Sequence, residues 1–198
     1  MSKNMKVLTG TAVLTAVVLI LQIALGAIQF GPFTITLTMV PIIVGAALYG
    51  WGTGAFLGAV FGIVVSVQVV TGAAGAFSTA MLELNPVATI SVCIIKGLVA
   101  GLVAGLAAGV LGKKNLLLGV FVAAVLAPIC NTGIFCIALV TIFRSIAEQY
   151  AIATEAASVA AFVLAGVVGV NFVIELLVDV ILAPVIVRIV QAVRKSGR

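Results

Sequence analysis

The sequence predicts an all-α integral membrane protein in which residues 1–198 form one domain of six transmembrane helices. Hydrophobic residues make up 64% of the chain and charged residues 8%, and the mean hydropathy is +1.45. Soluble domains carry roughly a quarter charged residues, so lipid must surround most of this chain. Because a helix needs roughly 20 apolar residues to cross a bilayer, the length accommodates six spans and short connections.

The first three predicted spans lie close together along the chain. The first covers residues 7–28 and ends where Gly31 and Pro32 interrupt the apolar run. The second covers residues 35–49, is short, and begins with a threonine-rich stretch. Gly50-Trp51-Gly52 connects it tightly to the third span, residues 54–70.

The last three predicted spans are longer. A linker rich in Gly, Ala and Ser, residues 71–84, leads to Asn85-Pro86, and proline suits the first turn of a helix. The fourth span covers residues 85–111, and the fifth covers residues 116–143. A polar stretch, residues 144–155, precedes the sixth span, residues 157–190.

Charge placement predicts the orientation, since six spans put both termini on one side. Arg144 is the basic residue on the opposite side. The basic residues on the side of the termini are Lys3, Lys6, Lys113, Lys114, Arg188, Arg194, Lys195 and Arg198. The positive-inside rule therefore predicts a multi-pass protein of the cell membrane with cytoplasmic termini. The net charge of +5 follows from this topology and requires no nucleic-acid partner.

Small residues at intervals of four predict closely packed helices, because such residues share one helix face. The glycines concerned are Gly54, Gly58 and Gly62 in span three, and Gly97, Gly101, Gly105 and Gly109 in span four. We expect both ladders to pack within the protein. Ala12 and Ala16 form a similar pair in span one, near the cytoplasmic end, and are a candidate surface for a partner helix.

Polar groups within the spans are costly and are therefore candidate functional residues. Lys96 lies in span four, Asn131 in span five, and Asn171, Glu175 and Asp179 in span six. One interpretation is a buried ion pair between Lys96 and Glu175 that sets the register of two helices. The other is a cavity in which Lys96 binds a substrate carboxylate and the amides bind hydroxyl or amide groups. The two are compatible if Glu175 positions Lys96.

Catalytic and nucleotide-binding patterns are missing from the sequence. The chain contains no His, its cysteines lie in apolar runs, and no metal-binding cluster or phosphate-binding loop is present. We therefore predict neither an enzyme nor a bound metal or cofactor, and ATP-driven transport would need a partner that binds ATP. A self-sufficient carrier, with the ionisable residues as an ion relay, is the rival prediction.

Several short motifs resemble, in their order and spacing, the S components of energy-coupling factor (ECF) vitamin importers. The resemblance covers nearly the whole chain. The motifs are Ala12-x-x-x-Ala16, Leu37-Thr-Met-Val-Pro41, Gly45-Ala-Ala-Leu-Tyr-Gly50, the segment from Gly54 to Gly62, Asn85-Pro86, Asn131-Thr132, Asn171-x-x-x-Glu175 and Ala183-Pro184. The similarity is closest to the pantothenate-type subfamily.

The resemblance implies a substrate-capture subunit in a prokaryotic plasma membrane. Such a subunit binds a vitamin from outside, docks onto a transmembrane coupling subunit joined to two ATPases, and delivers the vitamin by toppling in the bilayer. It implies that Ala12 and Ala16 contact the coupling subunit. The ligand contacts that it implies are Gln29, Phe33, Asn85, Lys96, Asn131, Asn171 and Glu175.

The vitamin is less sharply indicated than the family. A buried Lys96 facing a carboxylate suits pantothenate, and it also suits folate or biotin. Riboflavin is disfavoured because Trp51 lies in the predicted cytoplasmic connection, so a flavin would have to stack on phenylalanines such as Phe30, Phe33 or Phe77. Cobalamin is a further alternative.

Overall fold

The computed structural model describes residues 3–25, 29–30, 33–34 and 37–196. The regular secondary structure within these residues is helical apart from one short strand pair. The helices are α1 Lys3–Leu25, α2 Met39–Tyr49, α3 Trp51–Val70, α4 Ala76–Leu84, α5 Pro86–Leu111, α6 Leu116–Thr141, α7 Arg144–Ala153, α8 Val159–Phe162 and α9 Val173–Ser196, with a π-helical segment, Val163–Phe172, before α9. The strands β1 Gln29–Phe30 and β2 Phe33–Thr34 pair antiparallel between α1 and α2.

Four helices in the described part of the chain are long and apolar enough to cross a membrane, and they lie in α1, α3, α5 and α6. The apolar α2 has 11 residues, which is short for a span. In α9, Glu175, Asp179 and Arg188 interrupt the apolar sequence. Six spans and cytoplasmic termini therefore remain predictions.

The C-terminal region differs from the predicted single helix over residues 157–190. It forms α8, the π-helical segment and α9 in succession. Gly169 has non-helical backbone angles (φ −52°, ψ −128°), so the helical path is broken there. The break precedes α9 by a few residues, and segments of this type occur frequently at functional sites.

The predicted linker, residues 71–84, and the predicted polar stretch, residues 144–155, both contain helices. In α4, Phe77 and Met81 lie one turn apart and are buried. In α7, Ile146, Ala147 and Ala151 form a buried face. An amphipathic stripe gains free energy when it is covered, and this gain outweighs the loop-like composition of both segments.

The glycine ladders of α3 and α5 pack against each other, which confirms the prediction of internal packing. A Cβ atom at Gly58 would collide with the carbonyl oxygen of Gly97, and one at Gly101 would collide with that of Gly54. Gly109, by contrast, has no neighbour within 4 Å of the position that a Cβ would take. Backbone contact between these two helices therefore depends on the absence of side chains at the inner ladder positions.

Replacing Gly58 by Leu is expected to separate α3 from α5 and to lower the free energy of unfolding. Overpacking of this kind costs about 1–3 kcal/mol, and here the obstructing atoms belong to the backbone of Gly97. Thermal unfolding in detergent measures the effect. The matched control is Gly109→Leu, which should be neutral, and equal melting temperatures for the two variants would contradict the proposed contact.

Buried apolar residues form two separate cores. The large core joins α1, α2, α3, α5, α6 and α9, and includes Ile42, Leu57, Phe61, Ala104, Ala124 and Ile186. The small core joins α4, α7 and α8 to parts of α5 and α6, and includes Phe77, Met81, Leu139, Phe143, Ala147 and Phe162. The two cores include different segments of α5 and α6, and a level without core residues lies between them.

Candidate functional site

Polar side chains from three helices occupy the level between the two cores. Lys96 comes from α5, Asn131 from α6, and Glu175 and Asp179 from α9, and we call these four residues the polar layer. The core residues that bracket the layer are Val92 and Ala100 on α5, Ala127 and Ala138 on α6, and Val163 and Ala183 in the C-terminal region. The layer therefore lies at the junction of the two cores.

Lys96 is half-buried and lies against an aromatic ring. Its Nζ atom is 4.9 Å from the centroid of the Phe135 ring, a distance typical of a cation–π contact. The thiols of Cys93 and Cys136 lie near enough to interact with its charge. The predicted pair with Glu175 does not form between these two described residues, whereas Arg144 and Glu148 form an exposed ion pair of 2.9 Å.

Two acidic side chains lie one turn apart on α9 and are almost fully buried. Glu175 is 3% exposed and Asp179 is 1% exposed, and the two carboxyl groups interact electrostatically. Among the described residues, neither carboxylate oxygen of Asp179 has a hydrogen-bond partner. A buried acceptor without a partner loses roughly 1–3 kcal/mol, and more if it is charged. A hydrogen-bond donor beside the Asp179 carboxylate would therefore be stabilising.

Asn131 presents a further acceptor without a partner. It is 6% exposed, and its Oδ1 atom has no hydrogen-bond partner in the part of the chain that the structure describes. Pro128 lies three residues earlier inside α6. Proline has no N–H to donate to the carbonyl four residues before it, so the carbonyl of Ala124, two turns before Asn131, does not receive that hydrogen bond. Polar groups without partners thus occur on both α6 and α9.

The remaining predicted ligand contacts lie away from the layer or have side chains outside the described part of the structure. Asn85 is exposed and caps α5, and its Oδ1 atom accepts the N–H of Ala88 at 3.0 Å. Gln29 and Phe33 lie in β1 and β2, and Asn171 lies in the π-helical segment. The side chains of these last three residues fall outside the described part of the structure, so their ligand contacts stay predictions.

Three polar residues of α1, α3 and the start of α2 bond to each other. Gln22 donates to the Oε1 atom of Gln68 at 2.8 Å and accepts from the Thr38 hydroxyl at 2.9 Å. Gln68 in turn donates to the backbone carbonyl of Gln22 at 3.0 Å. The network links α1, α3 and the start of α2, and it needs no ligand to satisfy Gln22.

The face of α1 that carries the alanine pair is open. Ala12 and Ala16 are both exposed, and the neighbouring Leu8 and Ile20 are 72% and 65% exposed. The most deeply buried described residues of α1 are Val18 and Gln22, and Leu14 also packs against the large core. An apolar helix with so little of its surface covered fits lipid or a partner helix.

Asp179 was identified from the sequence as a polar residue in a span, but it was not predicted to bind the ligand. A signal was available, because Glu175 and Asp179 are four residues apart and therefore share one helix face. Within the described residues, no group of three or more His, Cys, Asp or Glu side chains could hold a metal ion. The layer thus offers one cation, two carboxyl groups and an amide for binding a small polar molecule.

Apolar membrane-length helices around a buried polar layer are typical of a membrane protein. Residues 6–187 match the family described as "ECF transporter, substrate-specific component". The chain belongs to this family, so it is a subunit of a transporter and not an enzyme.

The fold is also similar to that of a solved structure, ThiT from Listeria monocytogenes. The TM-score is 0.62 and the sequence identity is 19%, with 94% of this chain and 99% of that chain covered. No curated protein matches the chain. At this level of identity the similarity establishes the shared fold.

Proposed function

We propose that the chain captures a vitamin from outside the cell at the polar layer and delivers it when docked to the ATP-driven coupling module of an ECF importer. The observation that supports this most directly is the set of buried acceptors without partners, on Asn131 and Asp179, at the level of Lys96. A ligand with both hydrogen-bond donors and an anionic group would satisfy the acceptors and neutralise the lysine.

Pantothenate is the vitamin that we propose. Its carboxylate would bind Lys96, its hydroxyl and amide groups would donate to Asn131 and Asp179, and its methyl groups would contact Phe135. Folate and biotin also carry carboxylates, whereas riboflavin has none and would leave Lys96 without an anionic partner. An S component for folate, biotin, riboflavin or cobalamin is the nearest alternative.

Further contacts are proposed from the outer end of the site. Gln29 and Phe33 belong to the strand pair that joins α1 to α2, and Asn171 lies one turn before Glu175 in the chain. Asn85 uses one side-chain oxygen to cap α5, and its amide N–H groups are suited to a ligand oxygen. These residues would surround the part of the vitamin that lies farthest from the large core.

A ligand panel tests the proposed capture function on the purified chain without ATP. The panel contains pantothenate, folate, biotin, riboflavin, cobalamin and thiamine, each at about 100 times the expected Kd. A bound vitamin should stabilise the folded chain by about 2.7 kcal/mol and raise the melting temperature by roughly 5–10 °C. A higher melting temperature with pantothenate supports the full proposal. A higher melting temperature with another vitamin of the panel supports the capture function with that vitamin as the substrate. No shift with any member would contradict the capture function.

A self-sufficient carrier is the second candidate, because Lys96, Glu175 and Asp179 place ionisable groups deep among apolar helices. Uptake by liposomes that contain this chain alone would favour the carrier. Uptake that requires coexpressed coupling subunit and ATPases would favour the importer subunit.

The predicted topology gives the docking face of α1 and the polar layer their proposed orientation in the membrane. Six spans with cytoplasmic termini would place Ala12 and Ala16 near the inner end of α1, and the strand pair at the outer end. The exposed face of α1 would then dock on the coupling subunit, and toppling of the whole bundle would turn the polar layer toward the cytoplasm.

A further inference from the structure

A second site lies at the end of the molecule where α6 begins and α9 ends. It is a cleft with a volume of about 670 Å³, well away along α9 from the polar layer. The residues that line it are Leu116, Arg188, Gln191, Ala192, Arg194 and Lys195. Among the described residues, the lining contains three cations and no acidic side chain, which favours an anionic ligand.

The cleft is built on one face of α9. Arg188, Gln191, Ala192 and Lys195 follow the spacing i, i+3, i+4 and i+7, so their side chains point to the same side of the helix. Arg194 is held beside them, since its Nη2 atom donates to the backbone carbonyl of Ala47 in α2 at 3.1 Å. The cationic groups are therefore concentrated on one wall of the cleft, and the guanidinium group of Arg194 is held in place before any ligand binds.

The opposite wall adds to the positive potential. Leu116 is the first residue of α6, and the Asn115 side chain accepts the N–H of Leu118. The backbone N–H groups at the start of a helix lack partners within the helix, and the helix dipole places partial positive charge there. An anion in the cleft would meet arginine and lysine side chains on one side and this helix start on the other.

Apolar side chains continue from the cleft along the outside of the bundle. Leu117 and Leu118 on α6 are 49% and 48% exposed, and Ile189 and Val193 on α9 are 42% and 43% exposed. Because α6 is apolar enough to span a membrane and begins at Leu116, the cleft lies level with the boundary between hydrocarbon and headgroups.

We propose that this cleft binds the phosphate group of an anionic phospholipid, with the acyl chains lying along the exposed leucine, isoleucine and valine side chains. Free inorganic phosphate would satisfy the cations but would leave the apolar rim unused, and this favours the lipid. Basic pockets between membrane helices bind anionic headgroups in this way. The site is independent of the vitamin and of the residues proposed to bind it.

Native mass spectrometry of the purified chain tests the proposal with phosphatidylglycerol and, as a zwitterionic reference, phosphatidylcholine. Phosphatidylglycerol should bind at least threefold more tightly than phosphatidylcholine. The double variant Arg188→Gln/Lys195→Gln should abolish that preference. The matched control, Lys113→Gln/Lys114→Gln, removes the same charge from the same end of the protein, from exposed residues that do not line the cleft, and should keep it.

Each outcome decides the proposal. Equal loss in both double variants would show general attraction to a basic surface and would overturn the site. Stabilisation by inorganic phosphate as large as that by phosphatidylglycerol would reassign the cleft to a free anion. Unchanged thermal unfolding of the Arg188→Gln/Lys195→Gln variant in lipid-free detergent shows that a lost preference does not come from misfolding.

Discussion

Replacing Lys96 by Ala is expected to weaken vitamin binding by roughly 10- to 150-fold. A hydrogen bond to a charged group contributes about 1.5–3 kcal/mol, and each 1.4 kcal/mol corresponds to a factor of ten in Kd. Lys96 is half-buried against Phe135 and does not pair with Glu175, so its charge is available to a carboxylate. Isothermal titration with the vitamin identified in the panel measures the change.

The control separates a binding role from a structural one. Lys113→Ala removes a lysine from an exposed connection and should leave Kd unchanged. If Lys96→Ala binds the vitamin normally but melts at a lower temperature, then Lys96 stabilises the fold through its contact with Phe135. A vitamin without an anionic group would also be insensitive to the change, and the panel distinguishes that case.

Replacing Ala12 and Ala16 by Trp is expected to abolish association with the coupling subunit while vitamin affinity stays the same. Helices in lipid associate through close backbone approach at small residues, and an indole at each position would hold the partner helix away. Both alanines are exposed in this structure, so the substitutions displace nothing within the chain. Copurification with the coupling subunit and ATPases measures association, and uptake by cells should fall in parallel.

A bulky residue elsewhere on α1 provides the control for this prediction. Val17 is 37% exposed and lies about 100° around the helix from Ala16 and about 140° from Ala12. Val17→Trp should therefore keep the complex intact. If the double Trp variant copurifies as well as the parent chain, the alanine pair has no part in docking.

The bounds of three spans and the packing of the glycine ladders could be predicted because each depends on local sequence. Apolar length alone places α3, α5 and α6 within two residues of their predicted ends, apart from the start of α3 at Trp51. The spacing of four in Gly54, Gly58, Gly97 and Gly101 predicts a bare helix face, and the structure joins these faces. The helix α4 was missed because its stability comes from burial of Phe77 and Met81 by other segments.

The candidate site was predictable in its residue types but not in its contacts. Lys96, Asn131 and Glu175 were identified by their cost in an apolar span. The contact of Lys96 with Phe135 depends on the rotation and depth at which the helices pack, and so does the absence of a hydrogen-bond partner for the Asp179 carboxylate among the described residues. Neither quantity follows from spacing along a single helix.

The sequence by itself determined that this chain resides in a membrane, where the long apolar helices α3, α5 and α6 lie, and which of its polar residues require an explanation. Those properties follow from the free energy of transferring each side chain between water and lipid. Each residue contributes its own transfer free energy, whatever its tertiary contacts are. The tertiary structure alone decided that the polar residues form a layer between two cores, because that arrangement is set by contacts among helices far apart in the chain.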